Sequence, residues 1–184
     1  MSVKRDWLKG LGLISPQELE ALIAALPRGG RFLEVGTWHG VTAAIIAHDR
    51  PDAEVVSVDP FRAGCDTDAG SEEAWLENRQ GRENQRLFVG TVQGFVRYEA
   101  KYPCVFSGPF DVVFVDGDHS HDCCLADLRI TRSLLREEGT IFAHDVYRKP
   151  GDVQVSSAVE EFCAESGMKW VATVWHTAVI RKTA

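Results

Sequence analysis

Four acids and two histidines stand where a folded chain does chemistry rather than packing. Asp116 closes the apolar run FDVVFV and opens the polar stretch DGDHSH, with His119 three residues further on; His144 and Asp145 close the run TIFA. An acid at the end of a buried strand costs several kcal/mol unless it is paired or liganded, so Asp116 demands a partner. His119 has the reach of a base or a ligand, against the plainer reading of a surface histidine. Upstream, Glu34, Gly36, Thr37, Trp38 and Gly40 form the turn EVGTWHG, and Asp59 ends the run EVVSVD, 23 residues after Gly36. Glycine at 36 lets that turn pass close to a ligand, Gly40 opens a helix whose first N–H groups are free, and a carboxylate at 59 can accept both hydroxyls of a ribose. The turn lacks the G-x-G-x-x-G spacing of a dinucleotide cradle and the Gly-Lys-Ser/Thr of a P-loop. Trp38 suits sheet-edge packing as well as ligand contact.

These residues need elements to position them. Short apolar runs alternate with amphipathic segments along the chain, the pattern of βαβ units and a parallel sheet. A first helix starts at Ser15, with Pro16 at its first position and Glu18 completing a capping box, and stops before Pro27. Strands are expected at 31–36, 54–59, 86–91, 110–116 and 140–146, and helices at 40–49, 71–82, 92–102 and 122–139, the last stopping at Gly139. A final helix at 154–166, capped by Gly167, precedes two strands too close together for a crossover, so the last strand is antiparallel to its neighbour. The expected fold is therefore a Rossmann-like, doubly wound α/β sheet of seven strands, mostly parallel. Residues 1–30 form a helical segment before the main domain at 31–184. In such sheets a ligand lies at the carboxyl ends of the strands, where all the residues above fall.

Composition narrows the reading. The 184 residues are 45% hydrophobic and carry a formal net charge of −7, enough for one well-filled core but lacking the basic face that nucleic acid requires. No apolar run approaches the roughly 18 residues of a membrane span, and Asp6, Lys9 and the glycines break any signal-peptide core. Five cysteines (Cys65, Cys104, Cys123, Cys124, Cys163), an odd number without metal-binding spacing, read as free thiols in a reducing cytoplasm. The acids at 66–73 read as a solvated loop and helix start, or more sharply as a rim over the site.

The combination of FLEVGTWHG, VVSVDP and the closing hairpin resembles the class I S-adenosylmethionine (SAM)-dependent methyltransferases, from Arg31 nearly to the end. VFVDGDHSH followed by IFAHDV is similar to their metal-dependent small-molecule O-methyltransferase branch, the macrolide-sugar and catechol types. The resemblance implies that Glu34, Gly36, Thr37, Trp38 and Gly40 frame the methionine end of SAM, that Asp59 with Pro60 holds its ribose, and that Thr91, Val92 and Gln93 border its adenine. It further implies Asp116, which also borders the cofactor, and Asp145 as metal ligands. His144 stands where the branch commonly has a carboxylate or amide, which opens the choice from Mg²⁺ to other divalent cations.

The expected function is transfer of the SAM methyl to a hydroxyl of a small-molecule acceptor, with His119 as base and a divalent metal assisting. Nucleic-acid and membrane partners are not expected, and a homodimer is left open. The rivals are a metal-dependent hydroxylase-like enzyme on the same scaffold and a SAM-binding protein without catalysis.

Overall fold

A computed structural model of the chain describes residues 14–62, 70–101, 109–147 and 153–183. Cys65, Cys104, Asp66, Asp68 and the loop with Pro150 and Gly151 lie outside the described residues. The elements run α1 (Pro16–Ala25), β1 (Arg31–Val35), α2 (Val41–Asp49), β2 (Glu54–Asp59), α3 (Glu72–Arg79), β3 (Gln85–Val89), α4 (Val92–Lys101), β4 (Phe110–Val115), α5 (His121–Leu134), β5 (Leu135–Ala143), α6 (Gln154–Ser166), β6 (Met168–Val174) and β7 (Thr177–Lys182). The seven strands form one sheet in the order β3-β2-β1-β4-β5-β7-β6. Pairing is parallel from β3 through β5, and β7 runs antiparallel to both β5 and β6. Strand order reverses between β1 and β4, so the switch point that favours a ligand crevice falls there.

Alternation along each strand divides the core between the two faces of the sheet. Leu33, Val56, Val113, Val115, Ile141 and Ile180 join Phe95, Leu128 and Phe162 from α4, α5 and α6. Phe32, Val55, Val112, Phe114, Phe142 and Val179 meet Leu19 and Leu22 of α1 and Ile46 of α2 on the other face. Each such side chain, when fully buried, contributes roughly 1.5–3 kcal/mol relative to exposure. No described helix is long and apolar enough to cross a membrane. Cys123, Cys124 and Cys163 are free thiols, as expected, and burial pushes Cys124 up to about 12.

The boundary between α5 and β5 differs most from expectation, while the ends of β3, β5 and α3 shift by two or three residues. The segment LREEG continues no helix: α5 ends at Leu134, and β5 already begins at Leu135. Leu135 is buried opposite Phe110, whereas Arg136, Glu137 and Glu138 face solvent. Three exposed, helix-favouring charged residues at the start of a strand mimic a helix tail, and one buried leucine decides the backbone. Gly139 is no helix stop; a Cβ there would press on the Leu135 side chain at 2.7 Å.

The ends of β1 and β4 approach so closely that a side chain at 36 has no room. Gly36 has φ of +84°, and a Cβ on it would collide with the Asp116 carbonyl group. Gly36→Ala is expected to lose at least about 2 kcal/mol of unfolding free energy, from strain and collision together. Urea denaturation checks this; a loss below about 0.5 kcal/mol would show that the two turns yield easily.

Candidate active site

The turn between β1 and α2 is built around one carboxylate. The N–H groups of Thr37 and Trp38 both donate to Asp59 Oδ2 at 2.8 Å, and Phe61 N–H donates to Oδ1 at 2.6 Å. A carboxylate has about four lone-pair sites. Three are filled by the backbone, which leaves Asp59 room for one hydroxyl donor rather than the two expected. Trp38 and Phe61, which share this carboxylate, are held at φ of +49° and +48°. Non-glycine residues in that region are strained and persist where surrounding bonds hold them.

A cleft of about 490 Å³ opens at the carboxyl ends of the parallel strands, within the usual range for a small-molecule site. Its lining includes Gly36, Trp38, Asp59, Pro60, Thr91, Val92, Gln93 and Asp116. The other three cofactor candidates stand behind it. Glu34 is 2% exposed; it accepts from Thr37 Oγ1 and, at 3.0 Å, from Ser57 Oγ. Strand alternation sets Glu34 beside Phe32 on the α2 face, so it and Thr37 brace the turn from within. Gly40 makes space for Trp75, whose ring a Cβ at 40 would strike.

The sequence reading missed the opposite wall, where Cys123, Ala126 and Asp127 of α5 line the cleft with Asp118 and Asp122. Positions 123, 126 and 127 share a helix face by their i, i+3, i+4 spacing, separate from the buried stripe of Cys124, Leu125 and Leu128 that carries the stronger pattern. Burial first, and the Asp118 charge second, push the Asp127 carboxyl up to about 7.

Beside the cleft, β4 and β5 deliver a cluster. Asp116, His119, His144 and Asp145 each offer one ligand atom, all within 4.8 Å of one another. His144 Nδ1 lies 3.0 Å from Asp116 Oδ1 and 3.5 Å from Asp145 Oδ1. His119 Nε2 stands 3.4 Å from both Asp116 Oδ1 and Asp145 Oδ2. Asp145 adopts φ of +61°, a strained turn that directs its carboxylate back to the cluster. Burial opposes charge on Asp116 and on His144, yet the attraction between them and their shared hydrogen bond outweigh it, lowering the acid and raising the imidazole.

Glu18 also belongs to this neighbourhood. The sequence reveals it only as a capping-box residue, and no local signal places it near the strand ends. It is 1% exposed, and its Oε1 stands 3.5 Å from His144 Nε2. Burial alone would raise its pKa; the hydrogen bonds from His144, Ser15 and Thr177 bring it down to about 2. Of the remaining histidines, His39 stacks on Trp38 at 4.0 Å and His121 pairs with Asp122 and Glu161, outside the cluster.

Residues 33–146 match the family described as Methyltransferase domain. The chain belongs to that methyltransferase family. A curated relative, an uncharacterised protein of Acanthamoeba polyphaga mimivirus, is 24% identical over 139 residues, 73% of this chain, and the chain spans 59% of that protein's length. Cofactor-bound Rv0187 from MTB superposes with a TM-score of 0.67 at 21% identity, covering 95% of this chain and 83% of that one. The O-methyltransferase NovP does so with a TM-score of 0.67 at 19% identity, covering 91% and 80%. The fold is thus the Rossmann-like methyltransferase fold; the cleft and the four-residue cluster lie within the matched stretch, and Glu18 lies before it.

The methyltransferase turn carries its own pH dependence. Burial raises the Glu34 carboxyl from 4.5 to about 8, against the hydrogen bonds from Thr37 and Ser57. Between those values the native state keeps a proton that the unfolded chain releases, so stability falls as pH rises, by up to about 1.4 kcal/mol per pH unit. Glu34→Gln is expected to flatten that decline. Urea unfolding from pH 5 to 8.5 checks it, and equal slopes for both proteins would mean that Glu34 is ionised throughout.

Proposed function

We propose that this methyltransferase moves the methyl group of SAM to a hydroxyl of a small-molecule acceptor, with divalent-metal assistance. The observation that carries the reading is the double placement of Asp116, which lines the cleft and belongs to the four-residue cluster. A cofactor in the cleft and a nucleophile at the cluster would therefore meet across one carboxylate.

The residues present suit both groups. Gly36 gives the cofactor close approach to the backbone, the open lone pair of Asp59 takes one ribose hydroxyl, and Thr91, Val92 and Gln93 border the adenine. The acids of the lining favour a cationic sulfonium. Asp116, His144 and Asp145 suit a divalent ion, which when bound lowers the pKa of an acceptor hydroxyl. SAM brings an already reactive methyl, so the protein's part is alignment and proton removal. In the in-line displacement the acceptor oxygen forms a bond to the methyl carbon, the C–S bond breaks, and its electron pair stays on sulfur. His119 Nε2, which stands 3.4 Å from both Asp116 Oδ1 and Asp145 Oδ2, takes the hydroxyl proton.

A second reading, metal-dependent hydroxylation, draws on the two imidazoles among the carboxylates. Purified protein incubated with methyl-labelled SAM and a panel of phenols, catechols and sugar hydroxyls separates the readings. Labelled methyl ether is expected. Oxygen consumption without methyl transfer supports hydroxylation, and tight SAM binding without either product leaves a binding protein.

His119→Ala is expected to lower kcat about 100-fold while SAM affinity stays within twofold. Steady-state kinetics and calorimetry check this, and full activity would remove His119 from proton transfer. EDTA is expected to abolish turnover and a divalent ion to restore it.

A further inference from the structure

Glu18 is held with unusual firmness for a capping-box residue. Its Oε2 accepts the Ser15 N–H at 2.8 Å, while Oε1 accepts from Thr177 Oγ1 at 2.7 Å and from His176 N–H at 3.1 Å. The same Oε1 faces His144 Nε2 at 3.5 Å. Closing a helix end needs only the first of these bonds. The other contacts draw the carboxylate off the surface, where glutamate ordinarily stays, and aim it at the far edge of one imidazole.

That imidazole shows its other nitrogen to two carboxylates. Two donors bound at about 2.1 Å to one ion, at angles between octahedral and tetrahedral, stand roughly 3.0–3.4 Å apart. His144 Nδ1 is 3.0 Å from Asp116 Oδ1, inside that range, and 3.5 Å from Asp145 Oδ1, just beyond it. A histidine serves as a ligand only when the bonding nitrogen carries a lone pair and its other N–H has an acceptor, and that acceptor changes metal affinity by roughly 10–100-fold.

We propose that Glu18 is a positioning residue: by setting its carboxylate against His144 Nε2 it keeps the proton on that nitrogen, so that an incoming dication displaces the Nδ1 proton now shared with Asp116, and the cluster becomes a nitrogen-bearing site that prefers a transition-metal dication such as Co²⁺ or Ni²⁺ to Mg²⁺. This rests on the metal-assisted reading of the site. Imidazole suits the borderline ions, whereas Mg²⁺ favours an all-oxygen, largely hydrated shell. Glu18, His176 and Thr177 lie outside the matched stretch at residues 33–146, so the first helix and the last hairpin of this chain supply the selectivity.

Metal binding to the stripped full chain tests this without reference to turnover. Calorimetric titration with Co²⁺, Ni²⁺ and Mg²⁺ is expected to show Co²⁺ and Ni²⁺ binding at least tenfold tighter than Mg²⁺. Glu18→Gln is expected to weaken Co²⁺ binding at least tenfold and to shift the visible absorption of the Co²⁺ complex. SAM affinity should stay within twofold. Ser15→Ala breaks the capping box but leaves Oε1 facing His144; it should lower Tm and keep Co²⁺ affinity within threefold.

Wild-type Co²⁺ affinity and an unshifted spectrum in Glu18→Gln would overturn the proposal, as would an equal loss in Ser15→Ala. If Glu18→Gln fails to fold, the wild-type titration still decides, because Mg²⁺ bound as tightly as Co²⁺, or no ion bound at all, refutes it. Selective Co²⁺ binding in a protein that transfers no methyl group would sink the proposed reaction and leave the role of Glu18 standing.

Discussion

The hydrogen bond between His144 Nδ1 and Asp116 Oδ1, 3.0 Å long and largely shielded from water, fixes where the ends of β4 and β5 can lie. A buried ion without a partner costs several kcal/mol, so the two residues hold each other in place, with His119, Asp145 and Glu18 as their further charged contacts. Around this pair the backbone is tied as well. Asp116 N–H donates to Val35 O and His144 N–H to Val115 O, which continues the sheet one step past its last strand residues. The turn after β1, seated against Asp116, inherits its position from the same pair.

Much of this was legible because buried parallel strands are written as unbroken apolar runs, and an acid at the end of such a run is conspicuous. Asp59, Asp116 and Asp145 stand out on that basis, and the closing hairpin stands out because two apolar runs lie too close together for a crossover. Glu34 shows the limit of the method. Its type and place suggested ligand contact, but alternation with Leu33 and Val35 turns it toward α2, where it meets Ser57. The start of β5 was hidden for a different reason, since Arg136, Glu137 and Glu138 satisfy helix propensity and only burial of Leu135 overrides it. The α5 wall of the cleft is written in the i, i+3, i+4 spacing of Cys123, Ala126 and Asp127, a weaker signal than the apolar core stripe beside it.

Glu18 was illegible for a deeper reason. Its local context, Ser15 three residues before it, accounts fully for a glutamate at that place, and a satisfied local explanation gives no cause to look further. The partners that draw it inward stand 158 and 159 residues away in sequence, a separation over which no periodicity or spacing carries information.

That separation also governs the order in which the molecule can be assembled. Closing so long a loop is entropically expensive, and contacts of this range form late relative to local turns and neighbouring strands. On a ribosome the first helix emerges early, yet the hydroxyl and amide that receive its carboxylate emerge only with the final hairpin. Until then His144 faces a gap where its outer anion belongs. A nascent chain can therefore hold the parallel part of its sheet while its reactive end is still unset, and the β6–β7 hairpin completes the work of a helix made long before it.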